Sequence, residues 1–406
     1  MVMNRRSACV KACAMTDLMT TKAGDPGAFA RFDLDRVETP AFVVDAAALR
    51  RNLAVLADVK RRSGAKVLLA LKAFSMWETA GITQAVLDGT CASGLWEARL
   101  ARKHYPGMVE TFCPGFKAQD LPEIAALSDT IVFNTPQQHA RFRELLERSG
   151  ETFDVGLRIN PEVSTGEVPK YDPAAPGSRL GFPISQLREE HLSGLSGLHF
   201  HTLCEQDFAP LARTWEAIEP RLADWLPRLD WLNMGGGHHI SRADYDVDAL
   251  VRLIEGIRNK YGVSVYLEPG EAVALDAGLL VGEILDIFDN DGLQAIVDIS
   301  ATCHMPDVIE APYRPALLGE TETGTSVRLG GPSCLAGDVI GDYRFAGGVP
   351  TPGQRFAFLD QAHYSMVKTT TFNGVPLPSI YLWDSDSDKL ERVRSFDWTE
   401  FERRLS

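Results

Sequence analysis

The chain has 406 residues, more than one ordinary core organises and enough for two domains. It is 45% apolar and 24% charged, a globular balance that argues against a fibrous or wholly disordered protein. A formal net charge of −14 argues against a nucleic-acid partner, which needs clustered Lys and Arg, and favours a cationic ligand.

Seven cysteines form no C-x-x-C pair, so reduced thiols in a cytoplasm are expected rather than a disulfide scaffold or a zinc site. No apolar stretch is long enough to span a membrane. Residues 1–28 carry Arg5, Arg6, Lys11 and Lys22 without the apolar core of a secretory signal. Their Arg/Ser content loosely resembles a transit peptide; a disordered tail, or a later start at Met15, is the expectation.

Thr39-Pro40 then opens the run Ala41-Phe42-Val43-Val44, with helical periodicity following to about Arg61. From there short apolar runs alternate with amphipathic helical stretches. The predicted strands are 67–71, a short piece near Cys91, 109–113, 130–133, 155–159, 195–201, 231–234 and 263–267. Helical patterns at 95–104, 136–148, 208–222 and 249–260 lie among them. Parallel neighbours cannot join by tight turns, so this alternation predicts a (β/α)8 TIM barrel. Past about residue 272, apolar segments at 294–299, 326–329 and 355–359 sit between Gly/Pro/Asp-rich turns. That texture predicts a second, mostly antiparallel β domain. The division is therefore a tail over 1–28, an α/β barrel over 39–272 and a β domain over 273–406, with 29–45 free to pair with the latter.

Lys72 closes the apolar run at 67–71, at the C-terminal mouth where such barrels keep their active sites. A lysine desolvated there is neutral enough to condense with an aldehyde; the plainer alternative is a solvated strand-end lysine. Gly235-Gly236-Gly237 follows the seventh predicted strand, where barrels commonly bind phosphate, although an ordinary turn would look the same. The spacing does not match a dinucleotide fingerprint. Glu268 ends the eighth predicted strand, either as a partner that keeps a pyridine nitrogen protonated or as a rim residue in a salt bridge. His199 and His201 share one face of a strand, but the pattern does not say which face is inward. The adjacent pairs His238-His239 and Cys303-His304 are poorly spaced for chelation, and no metal is expected. Cys334 lies in a turn of the second domain, where most cysteines are inert, and nearby Asp338 is expected to be exposed.

These segments, taken in chain order, resemble the fold-type III, alanine-racemase-like decarboxylases that use pyridoxal 5′-phosphate (PLP). The shared pieces are Thr39-Pro40, Ala70-Leu71-Lys72-Ala73, Cys91-Ala92-Ser93, Leu157-Arg158-Ile159-Asn160-Pro161, Ser178-Arg179-Leu180-Gly181, the triple glycine, Glu268-Pro269-Gly270, Gly331-Pro332-Ser333-Cys334 and Thr371-Phe372-Asn373-Gly374. Within that group the chain looks like a carboxynorspermidine/carboxyspermidine decarboxylase. Four segments carry that finer likeness: residues 198–205, Phe112-Cys113-Pro114-Gly115-Phe116, residues 362–368 and the terminal Arg404-Leu405-Ser406.

The resemblance implies a site. Lys72 would carry PLP, Gly235, Gly236 and Gly237 its phosphate, and Glu268 would face the pyridine nitrogen. His201 would stack on the ring, with Arg158 close by and Tyr364 anchoring the phosphate. Cys334 would enter the neighbouring subunit's site and return a proton to the substrate, which implies a homodimer. Asp307 would bind the distal amine of a cationic carboxy-polyamine, with Cys334 and Asp338 on the same side. Two departures stand out: relatives often have arginine where Glu271 stands, and serine where Cys204 stands. Three rivals share features. They are diaminopimelate decarboxylase, which calls for a basic residue near Asp307, a racemase of the same fold, and a PLP-binding protein without turnover, which would be a single barrel.

Overall fold

The computed structural model describes residues 24–166 and 168–406, so what the sequence suggests for 1–23 lies outside the described residues. In chain order come β1 (Ala41–Asp45), β2 (Lys66–Ala70), β3 (Gly89–Ala92), β4 (Met108–Phe112), β5 (Thr130–Phe133), β6 (Asp154–Asn160), β7 (Phe182–Pro183), β8 (Gly197–His199), β9 (Trp231–Asn233) and β10 (Ser264–Leu267). Eight of these pair in parallel around a ring, in the order β5-β4-β3-β2-β10-β9-β8-β6, and β5 pairs with β6 to close it. Helices such as Leu95–His104, Pro136–Ser149, Phe208–Leu222 and Val247–Tyr261 make the crossovers. This is a (β/α)8 barrel.

Side-chain parity explains what the barrel holds. Leu68, Val132, Trp231 and Tyr266 form one interior layer, with the Trp231 and Tyr266 rings stacked at 5.6 Å. Gly156 and Gly197 make room for that indole, since a Cβ there would stand 2.4 and 2.0 Å from it. Truncating Trp231 to alanine would cost about 3–5 kcal/mol. Successive inward residues are two apart along a strand. One step toward the C-terminal ends therefore brings Ala70, Glu110, Arg158, His199, Asn233 and Glu268 inward, and a further step brings Lys72 and His201 to the mouth. The strand pattern that left the face of His199 open is decided by its neighbours.

The second sheet comprises β1 with β11 (Gly278–Asp289), β12 (Leu293–Val297), β13 (Val327–Gly330), β14 (Val339–Tyr343), β15 (Arg355–Leu359), β16 (Ser379–Asp384) and β17 (Lys389–Arg394). Its order is β14-β13-β12-β11-β1-β16-β17, with β15 also on β11. Only β1–β16 and β12–β13 are parallel. β1 thus heads the stretch read as barrel but is held in the other sheet, against Gly278–Val281.

Residues 24–28 correct the expectation of a tail reaching that far. The Gly24 N–H donates to Asp276, and a 3-10 helix at Gly27–Arg31 follows. Phe29 and Phe32 pack on Trp383 with ring centroids 5.3 and 4.9 Å away.

Candidate active site

Lys72 sits in the turn after β2 and borders a cleft with Ala70, His201, Gly237, Glu268 and Tyr364. By accessible surface its side chain is exposed, although protein atoms are packed densely around it. Burial, then the neighbouring Arg158 charge, lowers the ammonium's pKa, which favours the nucleophilic amine.

Glu268 is held in a dry network one layer below. The amide of Asn233 donates to Glu268 Oε1 and to Glu110 Oε1, both at 2.7 Å. His199 Nε2 lies 3.4 Å from Glu268 Oε2. Burial opposes charge on Glu268, but His199 and then Glu110 outweigh it and hold the carboxyl well below its usual range. Burial, then Glu268, pushes Glu110 far up, so Glu110 keeps its proton while Glu268 is ionised. Glu110 was missed in the sequence reading. Its signal was an acid in the middle of the apolar strand Met108–Phe112.

Arg158 and His201 lie beside this pair. Arg158 Nη2 donates to the His201 carbonyl at 3.1 Å, and its guanidinium lies 4.6 Å over Phe112. Burial lowers its pKa to about 10. His201 Nδ1 accepts the Gly236 N–H at 3.0 Å. Burial, then Lys72, lowers the pKa of that imidazole well below 6.5, leaving it neutral with Nε2–H.

The triple glycine is a cradle by necessity. A Cβ on Gly235, Gly236 or Gly237 would meet backbone oxygens at 2.6, 2.0 and 2.0 Å. Gly235 and Gly237 also have φ of 68° and 81°. The Gly235 N–H donates to Asn233 and that of Gly236 to His201, leaving Gly237 as the one glycine of the three that borders the cleft.

A larger cavity of about 210 Å³ adjoins the cleft and shares His239, Glu271 and Tyr364 with it. Glu205, Glu271, Asp307 and Asp360 all border it. Glu271, the departure from the arginine of relatives, lies 3.2 Å from His239 Nε2 and 3.9 Å from His363 Nε2. Against burial, those imidazoles hold its pKa at about 2. His363, also 3.1 Å from Asp360, is raised to about 10 against burial by Asp360 and then Glu271. A phosphate beside Glu271 therefore meets a balanced pair rather than a bare carboxylate. Lys72, the ionised Glu268 and the glycine cradle fit PLP on their own geometry and chemistry.

Two triplets could ligate a metal by proximity: Glu110, His199 and Glu268, and Glu271, Asp360 and His363. In the second, His363 is raised to about 10 and meets the acids' charge, whereas in the first burial lowers the pKa of His199 beside the ionised Glu268.

Two substrate-side expectations change. Asp307 borders the cavity, but the Lys368 ammonium is 2.5 Å away, so its charge is already met. Asp338 is not exposed: at 3% exposure it accepts from Ser300 Oγ, Ser333 Oγ and the Thr302 N–H. Such saturation makes it an anchor for the turn. Cys334, on that turn, is exposed, borders neither cavity, and donates its N–H to Asn373 Oδ1. Tyr364 borders both cavities, and burial, then Glu271, keeps its hydroxyl protonated.

No family model matches the chain. It is 38% identical to the carboxynorspermidine/carboxyspermidine decarboxylase of Campylobacter jejuni, over 91% of this chain and 99% of that one. It is likewise 38% identical to the carboxyaminopropylagmatine decarboxylase of Synechocystis, over 92% and 96%. A crystal structure of carboxynorspermidine decarboxylase from Campylobacter jejuni, complexed with norspermidine, superposes with a TM-score of 0.83 over 91% of this chain and 100% of that one. The chain is thus a decarboxylase, a carboxy-lyase, and belongs to the carboxynorspermidine/carboxyspermidine decarboxylase family.

Proposed function

We propose that this chain uses PLP to remove the α-carboxylate of carboxynorspermidine or carboxyspermidine, forming the corresponding polyamine. The observation that supports it most is the shared parity that brings Lys72 and an ionised Glu268 into one cleft beside an acid-lined cavity. Bound there, PLP would supply an aldehyde that condenses with amines and a ring that withdraws electrons from the bond being broken.

The residues have separate tasks. Lys72 would hold the cofactor through its amine. Glu268 would keep the proton on the pyridine nitrogen, with Asn233 and His199 fixing the carboxylate's orientation. His201 would stand beside the ring, while Gly235 and Gly236 shape the loop that would bring Gly237 to the phosphate. Arg158 holds the His201 carbonyl, and Tyr364 closes the phosphate end.

Cys334 is exposed and borders neither its own cleft nor the cavity, and we place it in the site of a second copy. There the thiol of Cys334 of the partner subunit would deliver the proton that replaces the carboxylate on Cα. A homodimer follows from that assignment.

The cavity favours a cationic tail. Four carboxylates border it, and its one lysine, Lys368, is met by Asp307 at 2.5 Å and Glu310 at 3.6 Å. A distal carboxylate, as in diaminopimelate, would find no free cation on that lining. The two carboxy-polyamines differ by one methylene, worth about 1–3 kcal/mol, so both should be accepted. Among the described residues no helix is long and apolar enough to cross a membrane, and we place the enzyme in the cytoplasm.

The test is carbon dioxide release by the PLP-loaded chain from carboxynorspermidine, carboxyspermidine, carboxyaminopropylagmatine, diaminopimelate, ornithine and arginine. A carboxy-polyamine should be turned over fastest; diaminopimelate ahead of it would overturn the reading. Lys72→Ala should lower the rate by ~10⁴-fold or more and abolish the absorbance of lysine-bound cofactor.

A further inference from the structure

Four carboxylates border the large cavity, and three are matched within 4 Å by a base of this chain. Asp307 faces Lys368, Asp360 faces His363, and Glu271 lies between His239 and His363. Glu205 is the fourth. Among the described residues it has no ion pair and no hydrogen bond, although most of its side chain is enclosed. Its backbone stands at φ 51°, in the left-handed region that residues with a side chain rarely adopt. The turn after β8 thus sets a carboxylate on the cavity wall that no described residue meets by an ion pair or a hydrogen bond.

Cleft and cavity share His239, Glu271 and Tyr364, so Glu205 stands on the wall of the space next to the cleft that Lys72 borders. We propose that Glu205 receives an ammonium of the polyamine chain and so sets the preference for substrates with an amine beyond the reacting end. This assignment rests on the carboxy-polyamine reading. It gives Glu205 the role that the sequence suggested for Asp307, whose charge Lys368 already meets.

A pH signature follows. Burial, then the charge of Glu271, pushes the Glu205 carboxyl up to about 7. The groups facing it are Glu271 and Asp360, which raise its proton affinity, and His239 and His363, which lower it. Arg242 holds His239 Nδ1 from behind at 3.1 Å, and the Asp307–Lys368 pair lies on the same cavity wall. Burial raises the Cys204 thiol and the Tyr171, Tyr313 and Tyr364 hydroxyls, so these stay protonated at neutral pH. A cation favours the ionised carboxylate. Below pH 7, binding should therefore expel a proton, and affinity should climb as pH rises from 5.5 toward 7.5.

The experiment is calorimetric titration of norspermidine into the PLP-loaded full chain, at pH 6.5 in two buffers of unlike ionisation enthalpy. The wild type should release roughly half a proton or more. Glu205→Gln should weaken norspermidine by ~10-fold or more, release no proton and lose the pH slope. It should raise KM for carboxynorspermidine by a similar factor with kcat within about twofold. Glu205→Asp, which keeps the charge, should recover part of the affinity and the proton release. The absorbance of lysine-bound cofactor in each variant reports that the fold and the Lys72 cleft survive.

Norspermidine binding within twofold of wild type, with the same proton release, would overturn the assignment. So would a Glu205→Gln defect that lies in cofactor affinity alone. The two readings fail separately. If the wild type prefers diaminopimelate yet binds norspermidine through Glu205, the carboxy-polyamine reading falls and Glu205 stands; if carboxynorspermidine is turned over equally well by Glu205→Gln, only the Glu205 role falls.

Discussion

Two clusters of acids and imidazoles lie near each other in this molecule and behave differently. In the barrel interior, Glu110, His199 and Asn233 are closed off from solvent and Glu268 keeps only an edge on the cleft, while the Asn233 amide ties both carboxyls at 2.7 Å. At the cavity wall, Glu205, Glu271, Asp360, His239 and His363 border about 210 Å³ of open space. In a closed site two neighbouring acids cannot both ionise, so one proton stays and the charge settles on Glu268. At an open wall each acid finds its own base, and the one that does not, Glu205, is left for a ligand. Enclosure thus fixes an ionisation state, whereas a cavity leaves one to be completed.

The sharpest break of that comparison is Glu268→Gln. It removes the only full charge of the closed cluster without changing its size, and should lower kcat by ~10²–10³-fold, read in carbon dioxide release. A loss under tenfold would mean that the closed cluster does not set the cofactor's electronics.

Cys334→Ala tests whether the site draws on a second copy. It should slow turnover by ~10²-fold. Mixing it with Lys72→Ala chains should restore activity above either parent, because hybrid dimers hold one intact site. No recovery on mixing would place the thiol's role within one chain.

Glu110→Gln should do least to turnover, within about threefold, because the native side chain is already a neutral hydrogen-bonding group. Its mark is on stability. A carboxyl whose folded pKa is raised stabilises below its unfolded value, near 4.3, and that stability is lost as pH rises. The Tm of Glu110→Gln should therefore gain on wild type as pH increases from 4 to 8. A constant offset would show Glu110 to be ionised.

Much of this molecule was legible before its coordinates. Each of the eight predicted barrel strands overlaps a strand of the barrel, because parallel strands buried on both faces need short continuous apolar runs, and the helices between them keep a 3.6 period. Lys72 and Glu268 were legible for the same reason: a charged residue ending an apolar strand has few places to go. The second sheet was read less fully. Its longest strand, Gly278–Asp289, passes from a buried half to an exposed half and so carries no single period.

The sequence by itself determined which residues can be buried, where strands stop and which charges stand at their ends, since these depend on neighbours within a few positions. Only the tertiary structure decided which acids share a proton and which face a base. Asp307 meets Lys368 across 61 positions and Glu110 meets Asn233 across 123. Asp338, read as a free polar side chain, is saturated by Ser300 from 38 positions away. The charge state of such a group is set by distance and enclosure in space, and neither is written in the order of the residues around it.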